Sequence, residues 1–375
     1  MLPVTKRLLR RALARGLDPA GVGLFVIQHL LDDTECFIRA ASAHGFKIIK
    51  VLGIEYSSKA HVVEHLRRQG FDVTVPALSQ LADTARDSLG ATLRRAARHG
   101  AARILVQEVG GYCSAFLAGN PELTAKRCTG VVEETKQGLW EYEKVCRLPI
   151  PVVQIADSHL KRVEATYVGD AVARAVEQDL LQLGMTLRGQ MAGVLGFGDI
   201  GAAVAGSLRA RGACVLAYDP DPLRMVQAIA EGFSCPDRVS VLRRCALIIG
   251  ASGTASVTYR DLRMLADNAI LISASSKCLE LPVERAKSSA RRIRQLTDAV
   301  DELTMPWGAR VMIVGRGFPV NFRGSSLPAS VSDLLFAQIV ACIEKLLTQS
   351  LSPGIHSLSK EEQTLLGKSW LEHYA

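Results

Sequence analysis

One stretch limits the fold more sharply than any other. From Met191 to Asp219 the chain reads MAGVLGFGDIGAAVAGSLRARGACVLAYD. An apolar run, Met191–Leu195, leads into Gly196-x-Gly198-x-x-Gly201. Ile200, Val204 and Leu208 then recur at helical spacing, Gly212 stops the helix, and a second apolar run follows at Cys214–Tyr218. Asp219 stands at the end of that run, eighteen residues after Gly201. Strand, glycine turn, helix, strand and acid in this order form the opening unit of a dinucleotide-binding domain. The first glycine permits the tight turn, the second lets the backbone approach a pyrophosphate, and the third lets helix and strand pack closely. The helix start offers N–H groups and a positive dipole to phosphate. An acid at position 219 accepts hydrogen bonds from the adenosine ribose and repels a 2′-phosphate, so the expected cofactor is NAD rather than NADP.

The 375 residues suffice for two domains with sizeable cores. No apolar run has membrane-spanning length. The N-terminus MLPVTKRLLRRALARG is basic without a continuous apolar core and reads as a surface helix. The net charge of +8 comes from arginines scattered over helical segments, such as Arg94, Arg95 and Arg98 or Arg291, Arg292 and Arg294. That distribution fits solvated helix faces and anionic small molecules. Nucleic-acid binding would need a recognisable module or interleaved aromatics, and neither is present. The nine cysteines form no CxxC pair, and Cys214, Cys245 and Cys342 fall in apolar segments as small hydrophobes. The pattern predicts a reducing, cytoplasmic setting and no metal site.

Helical and strand patterns alternate, which predicts an α/β protein of two domains, each with a largely parallel sheet. Strands are expected at Phe46–Ile54, Phe71–Val75, Ala102–Val109 and Pro151–Ala156, with helices at Ser58–Gln69 and Leu81–Arg98, the latter ended by Gly100. An irregular middle precedes Pro151. Asp157 or Ser158 is the expected cap of a long helix running to Leu183, with Gly184 its stop. The second domain adds strands at Met191–Leu195, Cys214–Tyr218, Ala246–Ala251, Ala269–Ala274 and Arg310–Val314, and Ser330–Leu347 is a long apolar helix. The expected division is 1–170 for a substrate-binding domain completed by a helix at 328–350, then 171–325 for the Rossmann NAD-binding domain. The tail, 351–375, is polar and is expected to pack as a short helix or on a neighbouring subunit.

Of eight histidines, none lies between 160 and 355. A 2-hydroxy-acid dehydrogenase built on this domain would need a catalytic histidine just downstream, so that chemistry is disfavoured despite VLAYDPDP. Other segments, in order along most of the chain, resemble the S-adenosylhomocysteine hydrolase family. Gln28-His29 with Thr34 is similar to its histidine-bearing helix start, and Glu108-Val109-Gly110-Gly111 to its Asp-Asp-Gly-Gly turn. Val132-Glu133-Glu134-Thr135 with Gly138 resembles Val-Glu-Glu-Thr-Thr-Thr-Gly. Pro151-Val152 followed by Asp157-Ser158-x-x-Lys161 resembles the strand and helix start ending in Ser-Val-Thr-Lys. Gly196-Phe197-Gly198-Asp199-Ile200-Gly201 resembles Gly-Tyr-Gly-Asp-Val-Gly. Val320-Asn321-Phe322, Pro328-Ala329 and Phe336-Ala337-Gln338 resemble the C-terminal signatures.

The resemblance implies a tightly held NAD that oxidises the 3′-hydroxyl of a nucleoside, acidifies C4′, lets the 5′ group leave and then returns the hydride. It implies three catalytic positions: Lys161 beside the 3′-hydroxyl, Glu134 on the ribose and His29 near the leaving group. Taken alone, each is more often a solvated or structural residue. Expected cofactor contacts are Gly196, Phe197, Gly198, Asp199, Ile200, Gly201, Asp219, Arg224, Thr135, Ser252, Ser275 and Asn321. It also implies a homodimer or homotetramer acting on a small nucleoside-like molecule. Several positions depart from the pattern. Val109 replaces a substrate-binding aspartate, Ala165 and Thr166 replace an aspartate and an asparagine, and Lys136 and Gln137 replace two threonines. Ser276 and Leu327 replace histidines, and the tail shrinks to Trp370-x-x-His373-Tyr374-Ala375. Three readings follow. The first is an enzyme that oxidises a hydroxyl of a nucleoside or sugar-like substrate and recycles its cofactor. The second is authentic adenosylhomocysteine hydrolysis. The third is an NAD-bound regulatory homologue without turnover.

Overall fold

The computed structural model describes residues 1–96, 101–324 and 326–375. The expected helix end at Arg98 and Gly100 lies outside the described residues. The chain divides into two compact units, one of residues 1–162 and 328–375, the other of residues 163–327. The strands in chain order are β1 Val22–Gln28, β2 Lys47–Gly53, β3 Val73–Thr74, β4 Arg103–Glu108, β5 Cys128–Glu133 and β6 Pro151–Gln154 in the first unit. The second unit holds β7 Met191–Leu195, β8 Cys214–Tyr218, β9 Leu247–Gly250, β10 Ala269–Ser273, β11 Arg292–Gln295, β12 Val300–Thr304 and β13 Arg310–Val314. The chain then re-enters the first unit and adds β14 Gly354–Ser357.

The first sheet runs β14-β6-β5-β4-β1-β2-β3, and every pairing is parallel. Such a sheet needs cover on both faces, which is why its central strands are apolar throughout rather than alternating. β1 is buried along its whole length, and the sheet is flanked by two apolar clusters, one around Leu24, Val26 and Phe37, the other around Phe25, Ile27 and Tyr142. β1 and β5 were not foreseen. β5 lies in the stretch read as irregular, where Gly130 breaks the apolar run because a Cβ there would meet the Leu346 side chain at 2.5 Å.

The long helix expected from Asp157 begins instead at Val163. Ser158 does cap a turn, accepting from the Lys161 N–H at 2.9 Å, but its own hydroxyl donates to Gln338 Oε1 at 2.5 Å, and the segment between is a turn rather than helix. The N-terminal helix Pro3–Ala14 is seated rather than peripheral. Val4 and Thr5 donate from their backbone N–H groups to the carboxylate of Asp333, at 2.8 and 2.9 Å, so a buried acid on helix Ala329–Thr348 caps it from outside. The Tyr374 hydroxyl reaches the same carboxylate at 2.9 Å, and Trp370 Nε1 donates to Ser330 O at 2.7 Å. The tail is thus an edge strand followed by a helix, Lys360–Tyr374, that packs on its own unit.

The second sheet runs β11-β12-β13-β10-β9-β7-β8. It is parallel from β13 to β8, and β11 and β12 join as an antiparallel margin. The β11–β12 hairpin escaped the sequence reading because Arg292–Gln295 is an exposed, basic edge strand with no apolar run. Cys214, expected as a small hydrophobe, is exposed at the start of the opposite edge, whereas Cys245 and Cys342 are buried. Helix Val163–Gln182 packs against helix Asp199–Ala210. A Cβ on Gly169 would stand 2.5 Å from the Ala203 backbone, so this close approach depends on the glycine.

Candidate functional site

In an open parallel sheet, ligands bind beyond the carboxyl ends of the strands, where the strand order reverses. The first sheet reverses between β1 and β4: the chain builds outward through β2 and β3, then returns and builds the other way. Three segments carrying motifs singled out in the sequence stand at those strand ends: Gln28-His29 at the end of β1, Gln107 to Gly111 at the end of β4, and Glu133 to Thr135 at the end of β5.

Glu134 is buried, and its Oε1 accepts from two amides, Gln28 Nε2 at 2.5 Å and Gln107 Nε2 at 2.7 Å. Gln28 also accepts from the backbone N–H of His29 at 2.8 Å, so one glutamine ties the carboxylate and the histidine together. The His29 Nδ1 lies 2.6 Å from Ser57 Oγ. Ser57 donates its hydroxyl to Ile54 O, so His29 must donate from Nδ1 and carry the lone pair on Nε2. Burial, and after it the charge of Lys161, pushes the His29 pKa down to about 3, which keeps the imidazole neutral. The three expected catalytic residues are therefore brought into one neighbourhood: His29 and Glu134 through Gln28, and Lys161 through its charge on His29. Gln28 and Gln107 were missed as site residues. No local motif marks them, and only the fold brings positions 28, 107 and 134 together.

The neighbouring Glu133 faces the other way. It is fully buried and accepts from the backbone N–H groups of Gly110 at 3.1 Å, Gly111 at 2.9 Å and Thr135 at 2.7 Å, and from the Thr135 hydroxyl at 2.7 Å. Gly138 is obligatory there, since a Cβ would fall 2.0 Å from the Glu133 carboxyl carbon. Burial, then the charge of Glu108, pushes Glu133 up to about 8. Thr135 was expected at the cofactor. Its hydroxyl caps helix Lys136–Glu143, accepting from Gly138 N at 3.0 Å.

The second sheet reverses between β7 and β9, which places the Gly196–Gly201 turn at its switch point. Gly196 has a φ of 101°, and a Cβ there would meet the Ala251–Ser252 backbone at 2.6 Å. A Cβ on Gly201 would lie 1.9 Å from Gly196 O. A Cβ on Gly198 would lie 2.8 Å from the Arg224 guanidinium. Asp199 and Ile200 open helix Asp199–Ala210, and buried Phe197 packs edge-on against Phe233 at 5.5 Å. Asp219 accepts from Phe197 N at 2.6 Å and from Asp221 N at 2.9 Å, one bond on each oxygen. A carboxylate has about four acceptor sites, so this anchoring leaves capacity for ribose hydroxyls. Arg224 donates to Phe197 O at 3.3 Å, which holds it over the same loop. The glycine cradle, the helix start and the anchored acid fit a dinucleotide.

Ser252 and Ser275 lie on the turns after β9 and β10, and both donate to Glu280, a fully buried carboxylate the sequence did not mark. Asn321 follows a segment that bridges to the end of β10, Pro319 pairing with Ser273, and it donates to Ser326 Oγ at 3.1 Å beside Arg323, whose guanidinium pairs with buried Asp179 at 2.5 Å. No group of three or more His, Cys, Asp or Glu side chains suited to a metal occurs among the described residues.

Residues 168–327 match the family model described as S-adenosyl-L-homocysteine hydrolase, NAD binding domain. An adenosylhomocysteinase of Saccharolobus solfataricus is 29% identical over 222 residues, which is 58% of this chain and 53% of that protein, so the chain aligns with about half the length of this relative. Among solved structures, a dipicolinate synthase chain of Bacillus halodurans overlaps with 89% of this chain and 99% of its own at 15% identity and a TM-score of 0.48. A phosphoglycerate oxidoreductase of Vibrio cholerae overlaps with 79% of this chain and 98% of its own at 14% identity and a TM-score of 0.46. Overlaps this loose carry nothing further. The cradle geometry and the matched domain agree on NAD, and residues 168–327 are similar to the NAD-binding domain of S-adenosyl-L-homocysteine hydrolase.

Proposed function

We propose that this chain is an NAD-dependent enzyme that oxidises a hydroxyl of a nucleoside or sugar-like substrate and returns the hydride before release. One observation carries the reading. A buried carboxylate and a neutral histidine are tied together at the switch point of the first sheet by side chains from β1 and β4, and the charge of Lys161 acts on that histidine. NAD, when bound, supplies the hydride acceptor. Glu134, an acceptor with one oxygen pinned by two amides, orients a substrate hydroxyl. Lys161, once deprotonated to the neutral amine, takes the proton released as that hydroxyl is oxidised. His29, neutral with its lone pair on Nε2, accepts a hydrogen bond from a second hydroxyl or from water. The departures at Val109, Ala165 and Ser276 alter the substrate side, so this reading favours a substrate other than adenosylhomocysteine.

The test is spectroscopic. The purified protein, loaded with NAD, is offered adenosine, related nucleosides and adenosylhomocysteine while absorbance at the reduced-nicotinamide band is followed. The expected result is reduction by at least one nucleoside, lowered about 100-fold or more in Lys161→Ala, the scale of a lost general acid–base. Rapid hydrolysis of adenosylhomocysteine would replace this reading with authentic hydrolase activity. No reduction by any nucleoside, with Lys161→Ala indistinguishable from wild type, would leave a cofactor-bound protein without turnover.

A further inference from the structure

Glu280 is a fully buried carboxylate, and all its polar contacts run to loops at the carboxyl edge of the second sheet. Gly253 N donates to Oε1 at 2.6 Å, and the Ser275 hydroxyl donates to the same oxygen. The Ser252 hydroxyl donates to Oε2 at 2.9 Å, and the Ser256 hydroxyl joins it there. Ser252, Gly253 and Ser256 follow β9, whereas Ser275 follows β10. One side chain therefore locks two separate loops together. The fit is close, because a Cβ on Gly250 would stand 2.7 Å from the Glu280 Cβ.

The sheet order says which part of the cofactor these loops face. The order is β10-β9-β7-β8, with the phosphate-binding turn on β7 and the ribose-binding Asp219 on β8. A dinucleotide lies across the carboxyl edge with its pyrophosphate at the turn. With adenosine on the β8 side, the other nucleotide falls on the side of β9 and β10. We propose that Glu280 is a positioning residue for the nicotinamide half of NAD, holding the Ser252–Gly253 and Ser275 turns at the separation that half requires. The inference rests on NAD occupying this domain, and it assigns Glu280 no contact with the cofactor. Its predicted signature is selective: the adenine half should be indifferent to it.

The experiment titrates wild type and two variants with NAD and with ADP, which carries the adenine half alone, by calorimetry. Glu280→Asp keeps the charge but shortens the reach by one methylene, so it cannot hold both loops. Glu280→Gln keeps the reach. Its carbonyl still accepts from Gly253 N, and the Ser252 and Ser256 hydroxyls can turn to accept from its amide. Glu280→Asp should weaken NAD about 10-fold or more and ADP less than about 2-fold, and Glu280→Gln should stay within about 3-fold of wild type for both. Equal weakening of NAD and ADP in Glu280→Asp would overturn the proposal, as would unchanged NAD binding. If Glu280→Asp does not fold, Ser256→Ala loosens the same anchor from behind, and its NAD-to-ADP ratio decides by the same criterion. Wild-type protein that binds ADP but not NAD would overturn both the proposal and the cofactor reading beneath it.

Discussion

The two units use glycine turns at equivalent places, the reversal point of a parallel sheet, and use them for opposite ends. In the first unit the Gly110-Gly111 turn gives both its N–H groups to Glu133. A turn whose donors are already taken by a carboxylate cannot cradle a phosphate. In the second unit the glycines of Gly196–Gly201 make room instead: each removes a Cβ that would collide with backbone or with Arg224. A helix start of this kind offers its N–H groups to a phosphate. A Gly-rich stretch is thus defined by what its donors do. Here one turn is a structural knot beneath a site made of side chains, and the other is the site itself.

The largest effect should come from untying the knot. Glu133→Ala leaves the N–H groups of Gly111 and Thr135 without an acceptor, while Gly110 keeps the Thr135 hydroxyl at 3.0 Å. At about 1–3 kcal/mol for each of the two orphaned groups, a loss of roughly 2–6 kcal/mol in chemical-denaturation stability is expected. Glu133→Gln retains one acceptor oxygen and should lose about half as much. Equal stability of Glu133→Ala and wild type would show that the turn holds its shape without the carboxylate and would erase the contrast with the second unit.

Next comes the cradle. In Gly201→Ala the new methyl meets a backbone carbonyl, which cannot step aside as a side chain can. Overpacking of this kind costs about 3 kcal/mol, and NAD binding should be lost with it. Gly198→Ala sharpens the point. Its methyl meets only the end of the flexible Arg224 side chain, so stability should change by less than about 1 kcal/mol. NAD affinity should still fall, because the methyl intrudes where the pyrophosphate approaches. Thermal unfolding paired with NAD titration separates the two glycines.

The contrast also explains what the sequence could show. The Gly196–Gly201 turn, its helix and Asp219 form one contiguous stretch, and each residue is required by local backbone geometry, so the pattern survives in a single sequence. Glu280 serves the same domain but shows nothing locally, because its partners are serines on two loops that only the sheet brings together. The first unit's site is dispersed in the same way. His29, Glu134 and Lys161 came from family resemblance, while Gln28 and Gln107 carried no signal, since a glutamine at a strand end looks like any other until its partner carboxylate is placed. The misplaced helix start at Asp157 has a related cause. Ser158 caps a turn, as serines do, but Gln338, 180 residues away, takes its hydroxyl. β11 escaped because an edge strand need not be apolar.

The last of these effects lies within the first unit, on His29. Its pKa is about 6.5 in the unfolded chain and about 3 in the folded one. Between those values the unfolded chain binds the extra proton, so this contribution to stability is complete above pH 6.5 and is lost as pH falls toward 3. At pH 5 the loss is about 2 kcal/mol, at roughly 1.4 kcal/mol per unit. Glu133 acts in the opposite sense. Raised to about 8 when folded, it binds its proton before the unfolded chain does, and so it adds stability as pH falls from 8 toward the ordinary carboxylate range. The wild-type curve sums both, so the difference between wild type and His29→Gln isolates the imidazole. Urea unfolding at pH 7 and pH 5 should show wild type losing about 2 kcal/mol more than His29→Gln over that interval. Parallel losses would mean that the folded protein protonates His29 as readily as the unfolded chain does, so that burial does not keep the imidazole neutral at pH 5.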